Sequence, residues 1–218
     1  MSMRAVPSLE NHSGLMDQVY RHQRYIYDLT RKYYLFGRDS LIRELALKPG
    51  DRLIEIGCGT ARNLIAIARR YPDARLFGLD ASAEMLETAA RQLRRAGLEG
   101  QVMLRHGLAE DLVPSLYGED GFEHALFSYS LSMIPDWRRA LAASRQALSE
   151  QGVVHVVDFA DLRDLPGRSL LRSWLKLFHV NPRGELLEEL EASHGRALTF
   201  LPGRYAFRTS FNKGKTAA

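Results

Sequence analysis

The sequence predicts an α/β protein: a doubly wound, mostly parallel sheet with an antiparallel edge, preceded by a helical lid. Three observations predict it. Between residues 52 and 159, short apolar runs alternate with amphipathic stretches of helical length, as in consecutive βαβ units. A glycine pair, Gly57 and Gly59, stands where the first apolar run gives way to the first such helix. Near the end, LTFLPGRYAFRTSF breaks the alternation with two strand-like runs around Pro202-Gly203, as closing antiparallel strands do.

Residues 1–14 are polar and irregular and read as a tail. Asp17 to Leu47 has helical periodicity, with Gly37 a break between two helices, and Lys48-Pro49-Gly50-Asp51 is a turn that stops it. This divides the chain into a tail and helical lid (1–48) and the sheet domain (49–218). RLIEIG (52–57) is a buried strand, and NLIAIARRYP (63–72) an amphipathic helix closed by Pro72. RLFGLD (75–80) is the second strand, followed by a helix from Ser82 to Gly97. VMLRHG (102–107) is the third, and FEHALFSYS (122–130) contains the fourth. DWRRALAASRQAL (136–148) is a helix and GVVHVVDF (152–159) the fifth strand.

A length of 218 residues suits one large α/β domain with a sizeable core, and 45% apolar with 26% charged residues is an ordinary globular balance. No stretch is apolar enough to span a bilayer, and Met1–Gly14 lacks the apolar centre of a signal peptide. Cys58 is the only cysteine, which excludes an internal disulfide and fits a reducing compartment. A cytoplasmic protein is the expectation. The net charge of +4 is unevenly placed. Asp17–Lys48 carries seven Lys/Arg against four acids and Arg163 to the end ten against five, whereas Pro49–Leu162 carries twelve against sixteen. Basic ends suit an anionic surface of lipid or nucleic acid, as well as plain solvated charge. No nucleic-acid-binding module accompanies them, so nucleic acid is not an expected partner.

Ligands of open α/β sheets bind beyond the carboxyl ends of the strands, where LIEIGCGTARNL (53–64) lies. The nicotinamide fingerprint needs Gly or Ala at its sixth position, which here is Arg62; a phosphate-binding P-loop is absent. The stretch fits E/D-x-G-x-G-x-G better, with Ala61 in place of the last glycine. In this it resembles the loop of class I S-adenosylmethionine-dependent methyltransferases, a resemblance that extends from Lys48 to Phe159. The resemblance implies a Rossmann-like, seven-stranded sheet and S-adenosyl-L-methionine as cofactor, with no metal. It places Gly57, Cys58, Gly59 and Asn63 around the cofactor, and Glu55 against its ammonium. Asp80 is suited to accept both ribose hydroxyls, although an acid before Ser82 can also cap a helix. Ala81 and Met85 fall against the adenine. Gly107, Leu108 and Ala109 meet its edge, with Glu110 a further acceptor; Leu108 stands where the family usually has Asp. Ser128 and Tyr129 form the floor of the transfer site.

The methyl acceptor is addressed by residues 19–42, which interleave Tyr20, Tyr25, Tyr27, Tyr33 and Tyr34 with basic residues. Tyr-Arg-x-Gln-Arg-x-Ile-Tyr-Asp, Thr-Arg-Lys-Tyr-Tyr-Leu-x-Gly-Arg-Asp, Gly-Thr-x-Arg-Asn-Leu and Tyr-Ser-Leu-Ser-Met-Ile-Pro occur in that order. Together they resemble the S-adenosylmethionine:diacylglycerylhomoserine N-methyltransferases of betaine-lipid synthesis, from Tyr20 to Asp158. That family methylates one amine three times. Tyrosine faces favour the accumulating cation by ~0.5–2 kcal/mol per contact. Arg31 and Arg38 are suited to the homoserine carboxylate, and Tyr20, Tyr33 and Tyr34 to the headgroup. Tyr27, Tyr129 or His155 can relay the amine proton. RSLLRSWLKLF (168–178) puts its apolar residues on one helical face and Arg168, Arg172 and Lys176 opposite them. That profile suits an interfacial helix on anionic lipid or a helix packed on the sheet. The expected partners are a lipid substrate at the inner membrane face, met peripherally, and the enzyme that makes diacylglycerylhomoserine. The alternatives are a phosphatidylethanolamine or quinone methyltransferase, a nucleic-acid-binding protein and a nicotinamide oxidoreductase.

Overall fold

The computed structural model describes residues 37–160, 184–194, 198–201 and 205–214. Helix α1 (Arg38–Glu44) leads into β1 (Arg52–Ile56), α2 (Arg62–Arg70), β2 (Arg75–Asp80), α3 (Ala83–Ala96) and β3 (Val102–His106). Two short 3₁₀ turns (Ala109–Asp111 and Pro114–Tyr117) carry the chain to β4 (Phe122–Ser128), α4 (Trp137–Ala147) and β5 (Leu148–Phe159). Helix α5 (Gly184–His194), β6 (Thr199–Phe200) and β7 (Ala206–Asn212) follow. The seven strands form one sheet in the order β3-β2-β1-β4-β5-β7-β6. The first five are parallel, and β7 runs antiparallel to both β5 and β6. This is the Rossmann-like architecture expected of the sequence, with its antiparallel edge.

Local chemistry accounts for most boundaries. The Ser82 hydroxyl accepts the Met85 N–H at 3.3 Å and starts α3, which Gly97 ends in a left-handed conformation. The Asp136 carboxylate accepts the Arg139 N–H at 3.2 Å and starts α4. Strand β5 begins at Leu148 rather than 152, because its register on β4 shifts between Phe122↔Leu148 and His124↔Val153. A bulge of this kind leaves no trace in the alternation of apolar residues. Helix α5, which the sequence reading leaves unassigned, buries Leu186, Leu187 and Leu190.

Side chains alternate across the sheet, so each strand feeds two cores. Leu53 and Leu76 join Leu64 and Ile67 of α2, and Ala89 and Leu93 of α3, on one face. Ile54, Ile56, Phe77 and Phe127 join Trp137 and Leu141 of α4, and Leu186 and Leu190 of α5, on the other. Leu41 and Ile42 of α1 are buried in the first core, each stabilising it by about 1.5–3 kcal/mol. Segment 37–47, on the lid side of the expected boundary, therefore shares the core of the sheet domain. From β1 the chain winds outward to β3 and then returns to β4 on β1's other side. That reversal opens a crevice at the carboxyl ends of β1 and β4.

The first face also carries two histidines, His155 buried and His124 half-buried. His124 Nδ1 lies 3.0 Å from His155 Nε2, His124 Nε2 lies 3.2 Å from Asp51 Oδ2, and His155 Nδ1 lies 2.8 Å from the Ser210 hydroxyl. One proton arrangement satisfies all three contacts with both rings neutral. His124 donates to Asp51, His155 donates to His124, and Ser210 donates to His155. Burial, with His124 adding to it, pushes the His155 pKa down to about 3. Burial also lowers His124, against the pull of Asp51. A depressed histidine pKa means that the unfolded chain takes up a proton that the folded one refuses. The stability is thus fully present above the unfolded pKa of ~6.5 and is lost as pH falls toward about 3, by ~1.4 kcal/mol per pH unit for one group. Asp158, raised to about 6, acts in the opposite sense below that pH. Comparison with His155→Gln isolates the histidine. Urea midpoints should fall more steeply with decreasing pH in the wild type than in this variant; equal slopes would show that the pair does not control the acid limb.

Candidate active site

The crevice is built on the turn after β1. The N–H groups of Gly57 and Cys58 both donate to the Leu79 carbonyl, at 2.8 and 3.1 Å, which folds the loop over the end of β2. Gly57, Gly59 and Ala61 are left-handed, with φ of +74°, +54° and +63°. A Cβ on Gly57 would stand 2.6 Å from that of Ser130, so no larger residue fits there without displacing β4's following turn. Ala61 is fully buried and holds its left-handed conformation at a cost of ~1–2 kcal/mol.

Two carboxylates bracket this loop. Glu55, buried near the end of β1, accepts the Asn63 amide at 2.7 Å. Asp80, ending β2, accepts the Gly59 N–H on Oδ2 at 2.7 Å and the Ser82 N–H on Oδ1 at 2.9 Å. Each Asp80 oxygen keeps acceptor capacity for a ligand hydroxyl. Burial, then the charges of Asp80 and Glu55, push the Cys58 thiol well up and keep it protonated. Such a site favours a cation and repels a pyrophosphate. Arg62 does not reverse this, since it reaches Asp39 of α1 at 3.1 Å and the side-chain Oδ1 of Asn63 at 3.4 Å.

The crevice brings many of the expected residues together. Gly57, Gly59, Asp80, Ala81 and Met85 line one side, and Gly107, Leu108, Ala109 and Glu110 continue it. Tyr129 lies across from them, with Ser130 and the apolar wall Met133, Ile134 and Pro135. Glu55, Cys58, Asn63 and Ser128 are buried behind this lining. His155 does not belong to it: the proton relay expected of that residue has no support here, because its ring is engaged inside the sheet with His124 and Ser210. Arg38, in the first turn of α1, is buried close enough to Tyr129 for its charge to favour the phenolate. Burial outweighs that influence and pushes the Tyr129 phenol well up, so it is neutral at physiological pH. Tyr20, Tyr27, Arg31, Tyr33, Tyr34 and the 168–178 segment lie outside the described residues.

The sequence reading did not single out Ser130, Met133, Ile134, Pro135 or Asp158. The first four lie in the quoted YSLSMIP stretch, where no periodicity marks which residues face a ligand. Asp158 had one visible signal, an acid inside the apolar run VVHVVDF.

Residues 53–152 match the family model described as a methyltransferase domain. Over that stretch the chain is similar to methyltransferase domains. The fold of this chain is shared with a SAM-dependent methyltransferase from Aquifex aeolicus (TM-score 0.63, 16% identity, 84% of this chain and 92% of that one). It is shared as well with the S-adenosylmethionine-dependent methyltransferase SibL (TM-score 0.66, 21% identity, 87% and 58%). In sequence the chain is similar to the demethylmenaquinone methyltransferase of Geobacillus kaustophilus, at 28% identity over 57% of this chain and 52% of that protein. It is similar to the ubiquinone/menaquinone biosynthesis C-methyltransferase UbiE of Syntrophotalea carbinolica, at 29% over 81% and 72%. The chain spans about half to three fifths of the length of the demethylmenaquinone methyltransferases it matches. Both of these solved proteins depend on S-adenosylmethionine, and the crevice of this chain fits that molecule: a glycine cradle that a Cβ would fill, set between two carboxylates suited to a cationic ligand. Among the described residues, no helix is long and apolar enough to cross a membrane.

Removing the Asp80 carboxylate strips a ligand acceptor and leaves two N–H groups without their partner. Asp80→Ala is expected to weaken cofactor binding by ~10–100-fold in a calorimetric titration while the circular dichroism spectrum is retained. Unchanged affinity would place the ribose elsewhere. Ala61→Gly should raise the melting temperature by ~2 °C, because glycine relieves the left-handed strain. A lower melting temperature would mean that the packing of the Ala61 methyl outweighs it.

Proposed function

We propose that this methyltransferase domain methylates the homoserine amine of diacylglycerylhomoserine in three successive rounds, giving a trimethylated betaine lipid. The observation that carries this reading is the tyrosine- and arginine-rich stretch 20–39, whose Arg38 is buried beside Tyr129 of the crevice. Bound S-adenosylmethionine supplies an electrophilic methyl group carried on a sulfonium. In each round the amine lone pair would take that methyl group, the bond to sulfur yielding its electrons to the departing thioether. The amine sheds one N–H proton in the first round and its last in the second, and the third leaves a quaternary ammonium with no N–H to lose. Orientation supplies most of the catalysis in such a transfer. Tyr129 contributes a neutral phenol, able to accept a hydrogen bond from the amine and to present its ring to the growing cation. It can pass a proton on only by releasing its own, and Tyr27 is the other hydroxyl offered for that relay. Arg38 supplies the positive charge that a headgroup carboxylate requires, with Arg31 as its companion and Tyr20, Tyr33 and Tyr34 around the headgroup. The basic ends of the chain favour a peripheral position on an anionic, inner membrane face, where the enzyme making diacylglycerylhomoserine would hand over its product.

A second reading is methylation of a quinone ring carbon, favoured by the similarity to demethylmenaquinone methyltransferases. The apolar wall Met133–Pro135 suits the apolar part of either acceptor.

The two separate in one assay. Protein and methyl-labelled cofactor are presented with diacylglycerylhomoserine, phosphatidylethanolamine or demethylmenaquinone in anionic vesicles. Label should enter the homoserine lipid, with its mass rising by three methyl groups; label in demethylmenaquinone alone would replace the first reading by the second. In the same assay Arg38→Ala should raise KM for the homoserine lipid by ~10–100-fold without changing cofactor affinity. An unchanged KM would remove Arg38 from the acceptor site.

A further inference from the structure

Asp158, next to last in β5, is a fully buried acid to which methyl transfer as described gives no part. Its Oδ2 accepts the Ser132 N–H at 3.0 Å and its Oδ1 the Phe159 N–H at 2.7 Å. Ser132 belongs to the turn after β4, in which the N–H groups of Met133 and Ile134 both donate to the Ser130 carbonyl at 3.0 Å. The Ser130 hydroxyl donates in turn to the Ile56 carbonyl at 2.7 Å, beneath the glycine loop. At the head of the same turn, Tyr129 donates its N–H to Val157 at 2.7 Å and packs edge-on against Phe159, with 4.8 Å between ring centroids.

This turn is strained. Tyr129 has φ +57°, a left-handed conformation that costs a bulky aromatic residue ~1–2 kcal/mol and persists only where its surroundings impose it. The turn also carries Tyr129, Ser130 and the Met133–Pro135 wall, one whole side of the crevice.

We propose that Asp158 is a positioning residue for methyl transfer: its carboxylate clamps the Ser132 N–H and so holds Tyr129 and the Met133–Pro135 wall opposite the glycine loop. The inference rests on the crevice being the transfer site and holds for either acceptor. The chemistry calls for a carboxylate, because both oxygens face N–H donors. An amide has one acceptor only and would turn its NH₂ against the second donor. An acid this deeply buried is costly to ionise, and burial pushes it up to about 6 against donors from Ser132, Phe159 and Leu131. A side chain that only filled the space would be apolar.

The test compares the wild type with the nearly isosteric Asp158→Asn, using whichever acceptor the wild type methylates. The variant should bind S-adenosylmethionine within about threefold of the wild type and lose ~10–100-fold in kcat, with KM for the acceptor changed by less than about threefold. Backbone hydrogen exchange over residues 129–135 should accelerate by ~10-fold or more, with β1 and β2 unaffected. Unchanged kcat and exchange would overturn the proposal. So would exchange rising throughout the domain together with lost cofactor binding, which would make Asp158 a general stabiliser. Should Asp158→Asn fail to fold, Asp158→Glu, which keeps the charge but moves it by one methylene, is read by the same criteria. If the wild type methylates none of the acceptors, the proposed function fails while the exchange and cofactor-binding results still decide the role of Asp158.

Discussion

The Asp80 carboxylate joins the pieces on which the rest of the crevice depends. One oxygen holds the N–H of Gly59, in the loop after β1, and the other holds the N–H of Ser82, where α3 begins. Two βα junctions are thereby tied to the end of one strand. With Gly57 and Cys58 donating to Leu79, the loop is pulled down until Gly57 lies against Ser130 of the opposite wall. The distance between the two sides of the crevice is fixed by backbone contact, which is why a side chain at Gly57 has no room.

The same geometry sets the electrostatics. Glu55 and Asp80 stand on either side of the loop, and the thiol between them is held protonated. A cationic cofactor finds complementary charge there. Lower in the sheet the logic reverses: His124 and His155 are neutral rings in a hydrogen-bonded chain that runs from Asp51 to Ser210. Across the crevice, Tyr129 is a neutral phenol beside a cationic Arg38, the pairing on which the proposed acceptor rests.

Much of this was legible in the sequence, for identifiable reasons. The strands through β5 and the helices α2 to α4 announce themselves by period, and Ser82, Gly97 and Asp136 mark helix ends by chemistry that acts within a few residues. Gly57, Gly59 and Asp80 were legible because a fixed loop-and-strand spacing delivers them to one place. The limits have physical causes too. His155 sits in an apolar strand and looks available for proton transfer; only the sheet register shows its ring engaged with β4 and β7. Helix α5 was hidden because its three buried leucines sit among glutamates.

The sequence by itself determined the order of strands and helices through β5, the glycine loop of the crevice, and the tyrosine- and arginine-rich stretch on which the proposed acceptor rests. Each is local, written in residues a few positions apart. Tertiary structure alone decided that Tyr129 is left-handed and neutral, that Met133 to Pro135 form a wall, and that Asp158 grips Ser132 across 26 residues of chain. Those properties arise from burial and from partners on other strands, and neither burial nor partnership exists until the sheet has closed.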